Sequence, residues 1–215
     1  GNFSHAEGYH TYANNYASHA EGVYTYANGN YSHVEGRNTH TYSGAAHAEG
    51  NVNFAYGYAS HVEGEFNTAN GNASHAEGRN TLANTQYSHS EGSFTQATGV
   101  ISHAEGSYTY ANGSVSHTEG SYTHASGNQA HAEGRNARAY GNYAHAEGLS
   151  TYANGMASHA EGYHNQANAP GAHAEGGFYY YGNYGYFPGA VGPAFNIASG
   201  TASHAEGGKT VATNY

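Results

Sequence analysis

The stretch SHAEG at Ser4–Gly8 places a hydroxyl, an imidazole and a carboxylate within four residues. A serine beside a histidine suggests a nucleophile with its general base, and histidine with glutamate suggests a metal-ligand set. The stretch occurs fourteen times in the chain with small changes, so its chemistry depends on the elements that repeat it. The motif residues, called here the His–Glu ladder, are His5, Glu7, His19, Glu21, His33, Glu35, His47, Glu49, His61, Glu63, His75, Glu77, His89, Glu91, His103, Glu105, His117, Glu119, His131, Glu133, His145, Glu147, His159, Glu161, His173, Glu175, His204 and Glu206.

The motif histidines recur every 14 residues from His5 to His173. A second element, such as Thr11–Ala13, follows half a repeat later, and a turn such as Asn28-Gly29 follows that. Two strands of about four residues fit each repeat, joined by Gly- and Asn-containing corners that tolerate positive φ. The sequence therefore predicts an all-β fold, a parallel β-solenoid of 14-residue coils with two short strands per coil. Roughly fifteen coils, spaced about 4.8 Å apart, would form a rod about 70 Å long.

Composition limits the possible functions. The chain has 5 basic and 15 acidic residues and few large aliphatic side chains, a composition that is typical of disordered proteins. The strict 14-residue spacing of the repeats argues against disorder. The scattered basic residues argue against nucleic-acid binding. The chain lacks cysteine, which excludes disulfides, and has no apolar run of transmembrane length, so we expect a protein that is not embedded in a membrane.

Alternation along each strand assigns the faces of the coil. Thr11 and Ala13 and their counterparts hardly vary, which predicts that they point inward, whereas the residue between them varies and points outward. In the motif, the small central residue, such as Ala6, points inward, so histidine and glutamate share the outward face. Because these two residues never vary, we expect a second chain to cover them.

The repeats resemble the head repeats of YadA-type trimeric autotransporter adhesins in their length, their small-residue strands and the S-x-A-x-G pattern of Ser4–Gly8. The SHAEG form is also similar to repeats of phage tail-fibre and tail-tip proteins. The resemblance extends from Ser4 to Gly207, although the family usually has Val and Ile where this chain has His and Glu. It implies a left-handed parallel β-roll, a homotrimer around one axis, and a role in surface attachment.

A catalytic role for the motif is disfavoured. Ser4 and His5 are neighbours on a strand and point to opposite faces, so they cannot act as a nucleophile and its base. We expect no enzyme activity and no cofactor. For the histidine columns we favour a metal-free, hydrogen-bonded ladder, because an ion in every coil would stack dications about 4.8 Å apart. The alternative is that divalent metal ions bind sporadically along these columns. Ice binding is disfavoured because the threonine column points inward.

The protonation of the His–Glu ladder can also be predicted. Ionised glutamates in every coil would repel one another across about 4.8 Å. We therefore expect many ladder histidines to be protonated and paired with glutamate, with the pKa of histidine raised and that of glutamate lowered.

Aromatic residues supply the candidate recognition surface. Many of the 23 tyrosines fall at outward or corner positions, among them Tyr12, Tyr26, Tyr110, Tyr122 and Tyr152. Tyrosine suits sugar rings and protein partners, although a tyrosine ladder that only stabilises neighbouring coils is the alternative.

One irregular segment interrupts the repeats. We divide the chain into regular repeats at 1–176, an irregular segment at 177–202 and a resumed repeat at 203–215. The step from His173 to His204 is interpreted as two repeats plus three residues, with the motif His and Glu lost at Ala190 and Gly192. The segment is a candidate recognition site, with a packing loop as the alternative; its candidate residues are Phe178, Tyr179, Tyr180, Tyr181, Tyr184, Tyr186 and Phe187.

Together these features predict a non-enzymatic, trimeric fibre shaft or head that binds a glycan or protein receptor on a cell or host surface. We expect it to be extracellular, on a cell surface or on a virion. The alternative is a purely structural extracellular filament subunit that assembles end to end.

Overall fold

A computed structural model describes residues 1–177 and 195–213 of the 215-residue chain. Within these ranges all the regular secondary structure is β-strand, which confirms the predicted all-β class. The chain divides into two compact units, Gly1–Val115 and Ser116–Tyr215. The described residues form no helix with the length and hydropathy needed to cross a membrane.

Short strands of two to five residues make up both units. In the first unit they are β1 (His5–Tyr9), β2 (Tyr12–Ala13), β3 (His19–Val23), β4 (Tyr26–Ala27), β5 (His33–Arg37), β6 (His40–Thr41), β7 (His47–Asn51), β8 (Phe54–Ala55), β9 (His61–Glu65), β10 (Thr68–Ala69), β11 (His75–Arg79), β12 (Leu82–Ala83), β13 (His89–Ser93), β14 (Gln96–Ala97), β15 (His103–Ser107) and β16 (Tyr110–Ala111). In the described part of the second unit they are β17 (His117–Thr118), β18 (His124–Ala125), β19 (His131–Arg135), β20 (Arg138–Ala139), β21 (His145–Leu149), β22 (Tyr152–Ala153), β23 (His159–Ala160), β24 (Gln166–Ala167), β25 (His173–Gly176), β26 (Ile197–Ala198), β27 (His204–Gly207) and β28 (Val211–Ala212).

Within each unit the odd-numbered strands form one parallel sheet and the even-numbered strands form another. Neighbouring strands of a sheet are one coil apart, so that equivalent residues pair, as in His19 with His33 and Glu21 with Glu35. The predicted parallel β-solenoid with two strands per coil is confirmed. The described residues form fourteen coils, eight in the first unit and six in the second, against the roughly fifteen expected from repeat spacing.

The interior of each coil is narrow and lined by small side chains. Ala20, Ala27 and Thr25 are fully buried, as the alternation of the strands predicted. The motif serine also points inward: Ser32 is buried, and its hydroxyl donates a hydrogen bond of 2.7 Å to the carbonyl of Gly29. Valine replaces the central alanine at Val34 and is accommodated without exposure.

Asparagines replace the inward threonine in some coils and tie neighbouring coils together. The side-chain amide of Asn53 donates to the carbonyls of Glu49 and Gly64, at 2.5 and 2.7 Å. Its carbonyl oxygen accepts a hydrogen bond of 2.9 Å from the backbone N–H of Asn67 in the next coil. These bonds satisfy a fully buried polar side chain, which would otherwise be costly to desolvate.

The corners differ from the prediction in where the positive φ falls. It does not fall on Gly29 of the Asn-Gly turn but on Tyr31 (58°), and the other corner of the coil has one at Tyr24 (55°). Left-handed backbone costs a non-glycine residue about 1–2 kcal/mol. Most of these residues donate their N–H to the preceding coil, as Tyr31 does to Tyr16 at 2.9 Å, so hydrogen bonds between coils offset the cost of the corner geometry.

The strands on either side of the irregular segment pair directly with one another, with no coil between them. Strand β25 pairs directly with β27, so that His173 aligns with His204, and β24 pairs directly with β26. Inside the coil, the N–H of Asn196 donates to the side-chain oxygen of Asn165 at 2.8 Å, although the two residues are 31 apart in sequence rather than 14. The expected extra coil with three inserted residues is therefore wrong. The insertion amounts to 17 residues within one coil, between Gly177 and Phe195.

Candidate functional site

The His–Glu ladder lies on the outer surface of the first sheet of each unit. In β5, Val34 is fully buried, whereas His33 before it is partly exposed and Glu35 after it is exposed. The predicted sharing of one outward face by histidine and glutamate is confirmed. The buried Ser32 faces away from His33, as the sequence predicted, so the two do not form a nucleophile–base pair.

The ladder histidines stack as parallel rings through most of each unit. His89 and His103 have ring centroids 4.6 Å apart and planes inclined by 2°, and His159 and His173 repeat this at 4.7 Å and 2°. The first pair, His5 and His19, is tilted at 69°. The spacing is that of adjacent β-strands, so the backbone register sets the distance between imidazoles.

Most ladder histidines point towards the glutamate of their own coil. The distance from histidine Nε2 to glutamate Oε2 ranges from 3.4 Å at His61 to 3.9 Å at His19. Charge-assisted hydrogen bonds are shorter, at about 2.7–2.9 Å, so most of these contacts are not strong ion pairs. A closer contact crosses between coils, where His204 Nε2 lies 3.1 Å from Oε1 of Glu175.

The predicted protonation of the histidines is wrong for four of them. Burial lowers the pKa of His47, His75, His131 and His159 from the usual 6.5, because it disfavours the charged imidazolium. Neighbouring histidines lower the pKa further, and the glutamates oppose this only in part. These imidazoles are therefore neutral at neutral pH.

Glutamates relieve the charge repulsion instead. Burial, hydrogen bonds with Glu119 and Glu147, and the charges of those two carboxylates raise the pKa of Glu133 to about 7. A hydrogen bond with Glu175, and then burial, raises the pKa of Glu161, and the same bond lowers the pKa of Glu175. The expectation of a lowered carboxyl pKa is therefore wrong for Glu133 and Glu161, whose pKa values are raised, and it holds for Glu175.

The motif glycines leave a strip without side chains beside the glutamates of the ladder. Gly22 has a φ of 117°, and a Cβ on it would lie 2.0 Å from the carbonyl oxygen of Gly36 in the next coil. Without side chains here, a shallow groove runs beside the glutamates; its lining includes Glu49, Gly50, Glu63, Gly64, Glu77 and Gly78. The recurrence of glycine in the motif thus has a steric cause.

Aromatic side chains cover other parts of the coil surface. Tyr42 stacks on Tyr56 with ring centroids 4.5 Å apart, and Phe94 stacks on Tyr108 at 4.8 Å. Such pairs form because equivalent positions of adjacent coils adjoin, which fits the ladder interpretation of the outward tyrosines. Tyr26 is only partly exposed and stacks on Tyr12 at 5.1 Å.

Three of the most exposed tyrosines lie at one left-handed corner position, which the sequence analysis did not single out. Tyr31 is 65% exposed, and Tyr58, Tyr87 and Tyr143 are also well exposed. Tyr31, Tyr87 and Tyr143 share the corner column and positive φ. The signal in the sequence is their position directly before the motif serine or alanine. The predicted recognition residues between Phe178 and Phe187 lie outside the described residues.

Three ligand atoms from the ladder also come together at several places. One atom each from His145, Glu147 and His159, for example, lies within 4.8 Å of the other two. Two imidazoles and one carboxylate suit zinc and other divalent transition metals. Comparison of the sequence with protein-family models and with curated proteins gave no match, so the ladder is interpreted from its own geometry.

Proposed function

We propose that this chain is a non-enzymatic subunit of a trimeric fibre that attaches to a cell or host surface, outside the cell or on a virion. The observation that carries the proposal is the contrast between two outward surfaces. The His–Glu ladder is the same in every coil although its side chains are partly exposed in the single chain, as at His33 (36%) and Glu35 (52%). The aromatic surface is exposed and varies from coil to coil.

A constant, partly exposed face is what contact between identical chains requires, because every coil must then meet the same partner. The narrow interior supports the same conclusion. It buries mainly alanine, serine and threonine, which contribute little apolar area to offset the entropy of ordering the chain. The resemblance of the repeats to the heads of YadA-type adhesins adds support for three chains, wound as a left-handed roll.

The aromatic corners would then provide attachment. Tyr31, Tyr87 and Tyr143 each present a flat apolar ring and a hydroxyl to solvent, a combination that stacks on sugar rings and hydrogen-bonds to them. A surface glycan is therefore the proposed receptor class. The predicted recognition residues of the 17-residue insertion are proposed to contribute as well.

Sedimentation equilibrium and a glycan array test the proposal together. We expect a trimer at micromolar concentration with no folded monomer, and binding to a subset of glycans that is lost when Tyr31, Tyr87 and Tyr143 are replaced by serine. The control is Tyr26→Gln, because Gln96 and Gln166 occupy the equivalent position in other coils. A folded monomer would contradict the trimer, and unchanged glycan binding by the triple variant would contradict the role of the corners.

A further inference from the structure

We propose that alternate coils of the His–Glu ladder in the second unit bind divalent transition-metal ions, such as zinc, within a single chain, and we argue this for two of its clusters. Site A is formed by His145, Glu147 and His159. Site B is formed by His173, Glu175 and His204. In each, one ligand atom from every residue lies within 4.8 Å of the other two.

Three of the four imidazole nitrogens at these sites are buried and have no hydrogen-bond partner among the described residues. The Nε2 atoms of His145, His159 and His173 have no hydrogen-bond partner among the described residues and are shielded from solvent. The rings around them are held nearly parallel, with centroids 4.8 Å apart both for His145 with His159 and for His173 with His204. A buried nitrogen without a partner is costly, and a metal ion would remove that cost.

The carboxylates complete each site. In site A, Oε2 of Glu147 lies 3.6 Å from Nε2 of His145. In site B, Glu175 lies between two imidazoles, with Oε2 at 3.6 Å from His173 and Oε1 at 3.1 Å from His204. Ligand atoms around a tetrahedral zinc are about 3.3 Å apart when each is 2.0–2.1 Å from the ion. Ring rotations that bring the three donors to this spacing would complete the site, with water as the expected fourth ligand.

The chemistry of the donors favours a borderline transition metal over calcium or magnesium. Two imidazoles and one carboxylate match the ligand preferences of zinc, copper and nickel, whereas the alkaline-earth ions prefer oxygen alone. Metal binding needs the neutral imidazole. Burial lowers the pKa of His159, so that no proton has to be displaced from it at neutral pH.

Alternation follows from shared ligands. The cluster between the two sites, formed by His159, Glu161 and His173, draws one histidine from each of them. It cannot be filled while sites A and B are occupied, because each histidine offers one ligand nitrogen here. Ions two coils apart are separated by about 9.6 Å rather than 4.8 Å, which halves their Coulomb repulsion. At saturation, metal therefore occupies sites A and B, and Glu161 does not bind an ion.

The glutamates provide a matched set of variants for the test. The full-length protein is dialysed against zinc at a concentration that saturates the wild type, and bound zinc is counted by elemental analysis. Glu147→Gln and Glu175→Gln should each bind one fewer zinc per chain. Glu161→Gln, on the same face and between them, should bind as many as the wild type. Cobalt in place of zinc should give the visible absorption of a four-coordinate ion, reduced in the first two variants alone.

Other results would overturn the proposal. Equal losses in all three variants would mean that metal is not confined to alternate coils. A loss of one third of an ion per chain would place the metal on an axis shared by three chains. No loss in Glu147→Gln or Glu175→Gln would mean that the ladder does not hold the ion. Melting curves recorded without zinc establish that each variant is folded before its zinc is counted.

Discussion

His204 Nε2 lies 3.1 Å from Oε1 of Glu175, although the two residues are separated by 29 positions and by the 17-residue insertion. The contact joins the coils that β25 and β27 begin, and these strands pair residue for residue. The ladder therefore continues across the insertion without a change of register. Whatever the inserted residues do, the coil does not need them to position its neighbours.

Removing the whole insertion should leave the solenoid folded. A variant that lacks residues 178–194 joins Gly177 to Phe195, which restores a 14-residue step between His173 and its partner histidine. We expect circular dichroism and the melting temperature to be unchanged or slightly improved, because a shorter connection costs less closure entropy. A loss of cooperative unfolding would show that the insertion stabilises the coil. Weaker binding to cells or glycans by a folded variant would support the proposed role in recognition.

The sequence predicted the parts of the fold that depend on local periodicity. Alternation placed Ala20 and Thr25 inside and His19 and Glu21 outside, because strand residues alternate faces whatever their partners. It did not predict the insertion, since a step of 31 residues from His173 to His204 is also two repeats plus three.

Properties that depend on neighbouring coils were harder to predict. Nothing in Tyr31 or Val52 signals left-handed backbone; the stacking of coils imposes it through hydrogen bonds to the preceding corner. The protonation of the ladder also depends on desolvation, which lowers the pKa of His131 and raises that of Glu133. Counting charges along the chain therefore predicted the wrong direction of the pKa shift for His131 and for Glu133.

The interior should accept valine but not leucine at the central motif position. Ala146 is fully buried, and Val34 and Val62 occupy the equivalent place in other coils without exposure. We expect Ala146→Leu to lower the free energy of unfolding by about 1–3 kcal/mol through overpacking. Ala146→Val, the matched control, should change it far less. Chemical denaturation measures both, and equal tolerance of the two would show that the interior is wider than its packing indicates.

The left-handed corners offer a route to stabilisation. Val52 has a φ of 58°, which a β-branched residue adopts only under strain, whereas Asn38 holds the same position one coil earlier at 50°. Val52→Asn should raise the free energy of unfolding by about 1 kcal/mol, because asparagine tolerates this conformation. The reciprocal change Asn38→Val should lower it by a similar amount. If both variants were destabilised, side-chain packing rather than backbone strain would control this corner.

The carboxyl of Glu133 should make the ladder respond to pH. Its pKa is raised from 4.5 to about 7, so the fold favours its protonated form, and this contribution is fully present below about pH 4.5 and lost as pH rises through about 7. The lowered pKa of His131 acts in the opposite sense: its contribution is present above pH 6.5 and lost as pH falls through the lower folded value.

Glu133→Gln isolates the first effect, since glutamine resembles the protonated acid. We expect the variant to melt at a higher temperature than the wild type at pH 8, where the wild-type carboxylate is ionised between Glu119 and Glu147, and at the same temperature at pH 4.5. Glu7→Gln, whose side chain is 72% exposed, is the control and should change the melting temperature little at either pH. A lower melting temperature for Glu133→Gln at pH 8 would mean that the ionised carboxylate stabilises the ladder, and the proton would then belong elsewhere.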